Sequence, residues 1–375
     1  MPEPYRSFAL ISRAAIARNY RSVRAAAGPG VEVVGVVKAN AYGHGAVEVS
    51  RVLVAEGACW LAVSSVEEGV ELRRAGVAAR ILVMAGFLPF EGEALVEYDL
   101  TPVLPSLDDV AEFDRLAQES GRSVPYHLKI DTGMGRLGTR AAAEEIARAV
   151  LAARHARVEG LMTHLASAGD FAGTQTEEQI ACFRAVRAAL EAAGVRPPYA
   201  HMAASNAIAY PRENAGCNMV RAGLALYGYV SPARGEAPAR ACDVEPVLAW
   251  KARILTVKDI PEGALVGYGG TYRAPRPMRI AIVGAGYADG VFQCLSNRGY
   301  AIAAGKRVPI LGSVCMDVIA IDVSHAPALS RGDEVTLLGA ENGVAIDAAE
   351  IAALAGTIPY DVLCRIGARV RRVYR

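Results

Sequence analysis

Eight short apolar runs recur between residues 31 and 228, at 31–38, 58–65, 80–86, 100–106, 125–130, 158–164, 199–203 and 219–228, and each is followed by a polar or helical stretch. Runs of this length that are apolar throughout, rather than alternating, mark strands buried on both faces, as in a parallel sheet. Helical patterns fill several of the gaps, at 67–75, 107–118 and 177–193, the last with Ile180, Phe183, Val186 and Leu190 on one face. Strands alternating with helices imply right-handed crossovers, and eight such units fit an α/β fold of the (β/α)8 barrel type. An open doubly wound sheet is the alternative; the barrel is favoured because the chemically able side chains fall at or beyond the ends of separate strands. Past residue 232 the texture changes. Segment 231–238 carries two prolines and a glycine and reads as a linker, and β-branched runs with tight turns follow at 252–258, 279–283, 308–311, 317–323 and 334–338. Two domains are expected, a barrel over 1–235 and a mainly-β domain over 236–375 that ends with a helix near 347–355 and a basic segment, 365–375.

With 375 residues, 53% of them hydrophobic, the chain can bury a large core in each domain. A formal net charge of +1 provides no field for nucleic acid or for an anionic membrane surface. Residues 1–30 are rich in arginine, but Ile16, Tyr20, Val23 and Ala27 fall at helical spacing, so a folded first helix is expected rather than a targeting peptide. Nowhere is there a run of roughly 18 uncharged apolar residues that would span a bilayer. The seven cysteines are widely spaced, with no Cys-x-x-Cys pair and no histidine pattern for zinc, and read as reduced, mostly buried thiols of a cytoplasmic protein without a metal.

Chemistry is expected first at 33–45. A β-branched strand there delivers Lys38 to the edge of the core, and the turn that follows holds Asn40, Tyr42, Gly43 and Gly45. A second candidate is Arg221, inside the apolar run 219–228: an unpaired buried guanidinium is too costly to keep, so it must face a specific acceptor. Histidines and small polar residues end other runs, with His164 after 161–163 and Ser205 after 201–204, and Lys129 and Arg136 stand in the glycine-rich stretch 127–138.

Stretch 36–45, VVKANAYGHG, closely resembles the cofactor-lysine motif of alanine racemases, fold-type III enzymes that use pyridoxal 5′-phosphate (PLP). The resemblance continues in family order along nearly the whole chain, and it implies a set of roles. Lys38 carries PLP covalently; Tyr42, Ser205 and Tyr360 anchor its phosphate; Gly223 is a further cofactor contact; His164 lies against its ring; and Arg221 meets its pyridine nitrogen. Arg136 lies beside the substrate, and Lys129 is the lysine often found carbamylated in the family. Tyr268, in the glycine-flanked stretch 266–272, matches the second catalytic base opposite Lys38, since inverting a stereocentre needs a proton taken from one face and returned to the other. Met316 contributes its amide to the substrate carboxylate, and Tyr287 lines the entrance. The family's β-domain residues act in the neighbouring subunit's barrel, so a homodimer is implied. The chain departs from the pattern at Ala204, where an asparagine is usual, at Ser313, where an arginine is usual, and at 8–12. The expected activity is interconversion of L- and D-alanine. Alternatives are racemisation of another small amino acid such as serine, a related decarboxylase, which would want an acidic residue in place of Arg221, and a non-catalytic PLP-binding protein, which would not need the β domain.

Overall fold

In the computed structural model, which describes residues 4–212 and 217–375, each of the eight apolar runs forms a strand. They are Glu32–Val36, Trp60–Val63, Arg80–Val83, Leu100–Leu104, Val124–Lys129, Ala156–Met162, Tyr199–His201 and Met219–Ala222. The first seven pair in parallel, each with its neighbour in sequence, and the eighth pairs with the first, Val34 lying opposite Arg221. The seam between Tyr199–His201 and Met219–Ala222 is held by a single bridge, Ala204 with Arg221, in which the Arg221 amide donates to Ala203 at 3.0 Å. The result is a nearly closed eight-stranded barrel. Its strands are buried on both faces: Leu61, Leu82, Val83 and Leu128 are almost wholly buried, as are Trp60 and Tyr126. Register aligns the strand ends: Lys129 lies opposite Met162, and Met162 opposite His201, so residues just past these positions gather at one rim.

The helices lie close to the expected spans, at Val66–Arg74, Leu107–Ser120 and Gln175–Ala192, and Ile180, Phe183 and Leu190 are buried as the pattern requires, with Val186 only half-buried. Asn19 of the first helix, Arg13–Ala27, donates to the carbonyls of Leu226 and Glu245 and accepts from the Glu245 amide.

The second unit is a nine-stranded, mostly antiparallel sheet. The long strand Leu248–Ile260 pairs with Ser7–Ile11, with Met278–Val283 and, past a bulge, with Glu334–Glu341, which closes part of the sheet on itself. Two elements differ from expectation. Ser7–Ile11 belongs to this sheet rather than to the barrel, and the basic segment ends in a strand, Arg371–Tyr374, parallel to it. By packing, one compact unit comprises Met1–Ala14, Tyr42–Gly45 and Pro246–Arg375, and the other Ala15–Ala41 and Ala46–Glu245. The division therefore falls after Glu245 rather than at 235, because segment 231–238 is not a free linker: Arg234 exchanges hydrogen bonds with Gly169 and Phe171, and Ser231 with Asn206.

The cysteines also differ from expectation. All seven are free, but only Cys242 is buried, and Cys59, Cys182, Cys294 and Cys364 are exposed. Most of them stand on helix surfaces and in loops, where no core packing claims them. Among the described residues no helix is long and apolar enough to cross a membrane, and no three His, Cys, Asp or Glu side chains group to hold a metal ion.

Candidate active site

Lys38 stands two residues past the end of the first barrel strand and is half-buried. Beyond it the backbone does something rare: Ala39, Asn40, Ala41 and Tyr42 all have φ between 51° and 54°, a left-handed turn built without glycine. Each such residue costs roughly 1–2 kcal/mol, so surrounding bonds must hold the turn in place. Within the barrel unit, the Glu68 carboxylate takes the Ala39 amide at 2.6 Å and the Ser64 amide at 2.7 Å, while the Asn40 side chain takes the Ala46 amide at 2.7 Å.

Around the rim of the same unit stand four cations, Lys38, Lys129, Arg136 and Arg221, close enough to shift one another's neighbours. The Lys129 amine, 4% exposed, is brought down to about 8 by burial and then by Arg221, Arg136 and Lys38, with Asp131 opposing. His164 falls to about 3, first through burial and then through the same four cations. It is therefore a neutral imidazole, and its Nδ1 accepts from Arg221 Nη2 at 3.0 Å. Arg136 itself is exposed, on a loop fixed by Asp131, whose Oδ1 accepts the amides of Gly133, Met134 and Gly135 at 3.0–3.1 Å. Burial works against the charge of Asp131, but those amides and Arg140 outweigh it and hold the carboxyl at about 2.

Arg221 is 2% exposed and meets no carboxylate among the described residues. It donates instead to neutral acceptors: Thr163 O at 3.0 Å, Met202 O at 3.3 Å, His164 Nδ1, and His201 Nδ1 at 2.8 Å. Burial lowers its pKa to about 10, which still leaves it charged at neutral pH. The contact with His201 dictates a chain of tautomers. Because Arg221 can only donate, His201 Nδ1 must accept, so its proton sits on Nε2 and is given to His127 Nδ1 at 2.7 Å. His127 then carries its own proton on Nε2, which faces Glu159 Oε2 at 4.0 Å, and Glu159 is clamped by Arg80. Both histidines are fully buried and held neutral, mainly by burial and then by the neighbouring arginines. Gly160 makes room for this chain, since a Cβ there would overlap the His127 ring.

Ser205 is buried, and its Oγ accepts the amides of Gly223 at 3.0 Å and Ala225 at 3.2 Å. Asn206, two places beyond the family's usual asparagine, is occupied in tying down Ser231. In the β unit, Tyr42 and Tyr360 lie with ring centroids 5.9 Å apart, and the Tyr360 hydroxyl has no hydrogen-bond partner among the described residues. Tyr268 and Met316 are exposed, at 78% and 52%. Gly267, Gly269 and Gly270 flank Tyr268 with positive φ, and its carbonyl accepts from Ser313 Oγ at 3.0 Å, so Ser313 braces the loop from the place where the family usually has arginine.

Sequence reading passed over His127, His201, Glu159, Glu68 and Gln179. Gln179 is 1% exposed; it takes the Ala166 amide and donates to the His164 carbonyl, fixing the loop on which His164 sits. Its signal was there, a glutamine beside the apolar face of Ile180 and Phe183.

Comparison with known proteins agrees with this arrangement over the whole chain. Residues 11–232 match the model of the alanine racemase N-terminal domain, and residues 247–374 that of the alanine racemase C-terminal domain. An alanine racemase of Halothermothrix orenii is 40% identical over 358 residues, covering 95% of this chain and 93% of that one. The crystal structure of alanine racemase from D-cycloserine-producing Streptomyces lavendulae is 34% identical with a TM-score of 0.91, covering 100% of this chain and 98% of that one. That of Bartonella henselae, with covalently bound pyridoxal phosphate, is 28% identical with a TM-score of 0.87, covering 99% and 100%. The chain belongs to the alanine racemase family.

Proposed function

We propose that this PLP-dependent isomerase interconverts L- and D-alanine by a two-base exchange of the α-proton in which Lys38 serves one face of the substrate and Tyr268 the other. The observation that carries the reading is Arg221: a buried guanidinium that spends its Nη atoms on neutral acceptors and leaves Nε without a partner among the described residues. That is the donor a pyridine nitrogen needs. The Tyr360 hydroxyl and the Ser205 loop likewise suit the phosphate, so the residues present fit PLP.

Lys38 would hold the cofactor through its amine; Ser205, the Gly223 amide, Tyr42 and Tyr360 its phosphate; and His164 its ring. When bound, PLP supplies a sink for the electron pair left at Cα when the α-proton leaves. Arg221 cannot give up its own proton, so it donates a hydrogen bond to the pyridine nitrogen and leaves that nitrogen neutral. The choice favours racemisation: with a weaker sink, the proton returns to Cα before it reaches another carbon. Lys38 Nζ takes the α-proton of D-alanine and the Tyr268 oxygen that of L-alanine, each returning it in the opposite direction. Arg136 and the Met316 amide orient the substrate carboxylate, and Lys129, as a carbamate, would brace Arg136 by opposite charge.

The reading includes a homodimer in which Tyr268 and Met316 complete the partner's site. It is supported by the exposure of both side chains, together with Leu265 and Tyr287, in the isolated chain. Seven free cysteines agree with a cytoplasmic enzyme. The test is incubation with PLP and L-alanine in D2O, following α-deuterium and enantiomer ratio together. D-Alanine bearing deuterium at Cα is the expected product; L-alanine recovered without deuterium or inversion refutes the reading.

A further inference from the structure

Arg372 stands in the basic C-terminal segment, to which sequence reading gave no role, yet all three of its guanidinium nitrogens donate to backbone carbonyls. Nε reaches Gly43 at 2.8 Å, in the turn that follows Tyr42. Nη1 reaches Val370 at 2.8 Å and also Gly367, and Nη2 reaches Ile366, just past the helix Pro359–Arg365 that carries Tyr360. One planar side chain thus ties the end of the left-handed turn to the end of the Tyr360 helix.

Two further contacts close the same clasp. The Tyr374 hydroxyl donates to His44 O at 3.0 Å. Gly43 and Gly45, with φ of 81° and 96°, lie so close to the Leu363 carbonyl and the Tyr374 hydroxyl that a Cβ on either would overlap them. The strand Arg371–Tyr374 is itself anchored by its parallel pairing with Ser7–Ile11. The turn is costly in itself, the two glycines that follow Tyr42 are pressed against this strand and helix, and the rings of Tyr42 and Tyr360 meet beside them.

We propose that Arg372 is a positioning residue that holds Tyr42 and Tyr360 together as one phosphate-binding unit. The proposal rests on the reading that these two hydroxyls receive the phosphate. Arg372 does not touch the cofactor; it fixes the spacing of the two donors.

A merely structural arginine and a phosphate-positioning one differ in what they discriminate. Full-length protein freed of cofactor is titrated with PLP and, separately, with pyridoxal, which can join the same lysine but has no phosphate. Arg372→Lys keeps the charge but cannot reproduce a fork to four carbonyls, and it is expected to raise the Kd for PLP about tenfold while leaving that for pyridoxal unchanged. Thermal melting of the cofactor-free protein accompanies each titration, and the lysine variant is used because Arg372→Ala risks loss of fold. An unchanged PLP Kd in Arg372→Lys, or an equal weakening toward both ligands, overturns the proposal. Tyr42→Phe and Tyr360→Phe separate the two layers: both are expected to weaken PLP and not pyridoxal. If both tyrosine variants bind PLP as the parent does, the phosphate assignment itself is wrong, and the role of Arg372 goes with it.

Discussion

Lys129 offers a sharp test of the electrostatics at the barrel rim. Burial, followed by Arg221, Arg136 and Lys38, holds its amine at about 8 instead of 10.5, which corresponds to roughly 3 kcal/mol against the ammonium form. At about pH 7.5 such an amine is roughly one quarter neutral, against about one part in a thousand for an ordinary lysine, so the nucleophilic form is enriched on the order of 200-fold. The neutral amine can add to CO2, forming an N–C bond and releasing one proton to solvent, and the resulting anion is surrounded by cations. We expect 13C-bicarbonate to produce a carbamate resonance in the unaltered protein and none in Lys129→Met, with a rise in melting temperature only in the former. The sign of the pH dependence follows from linkage. With its pKa depressed in the fold, Lys129 binds fewer protons than the unfolded chain between about pH 8 and 10.5, so stability in CO2-free buffer rises with pH across that window and falls as pH drops through 8. Lys129→Met removes the penalty and is expected to be more stable than the parent by about 2–3 kcal/mol at pH 7, an advantage that shrinks toward pH 10.5. Equal 13C incorporation in both proteins, or none in either, refutes the reasoning.

Two other outcomes follow from the site. Tyr268→Phe is expected to slow α-deuterium incorporation from L-alanine about 10²–10⁴-fold while exchange from D-alanine, assigned to Lys38, survives; equal loss from both enantiomers would show that Tyr268 is not a face-specific base. Glu159→Ala leaves Arg80 without its buried carboxylate partner, but Arg80 is 38% exposed at its side chain and stacks 3.9 Å over Trp60, so it can rehydrate. The cost is expected at about 2 kcal/mol rather than the 3–5 of a fully buried pair, read as a lower urea midpoint with unchanged slope.

What the sequence by itself determined was the part of the molecule written in local pattern. Eight apolar runs became eight barrel strands because each is long enough, and apolar enough, to be buried on both faces wherever it lies. Lys38, Lys129, His164 and Arg221 could be found for the same reason, each being a polar residue inside or at the end of such a run. The tertiary structure decided what depends on partners distant in the chain. Ser7–Ile11 and Arg371–Tyr374 pair from opposite ends of the sequence, and nothing in Arg371 or Arg372 distinguishes a strand from a solvated basic tail until the partner strand is in place. The left-handed turn at Ala39–Tyr42 has residues that would not choose it alone; it is held by the Glu68 carboxylate on the Ala39 amide and by the Asn40 side chain on the Ala46 amide. The tautomers of His201 and His127 were likewise illegible in sequence, because which nitrogen holds the proton is set by Arg221, which can only donate.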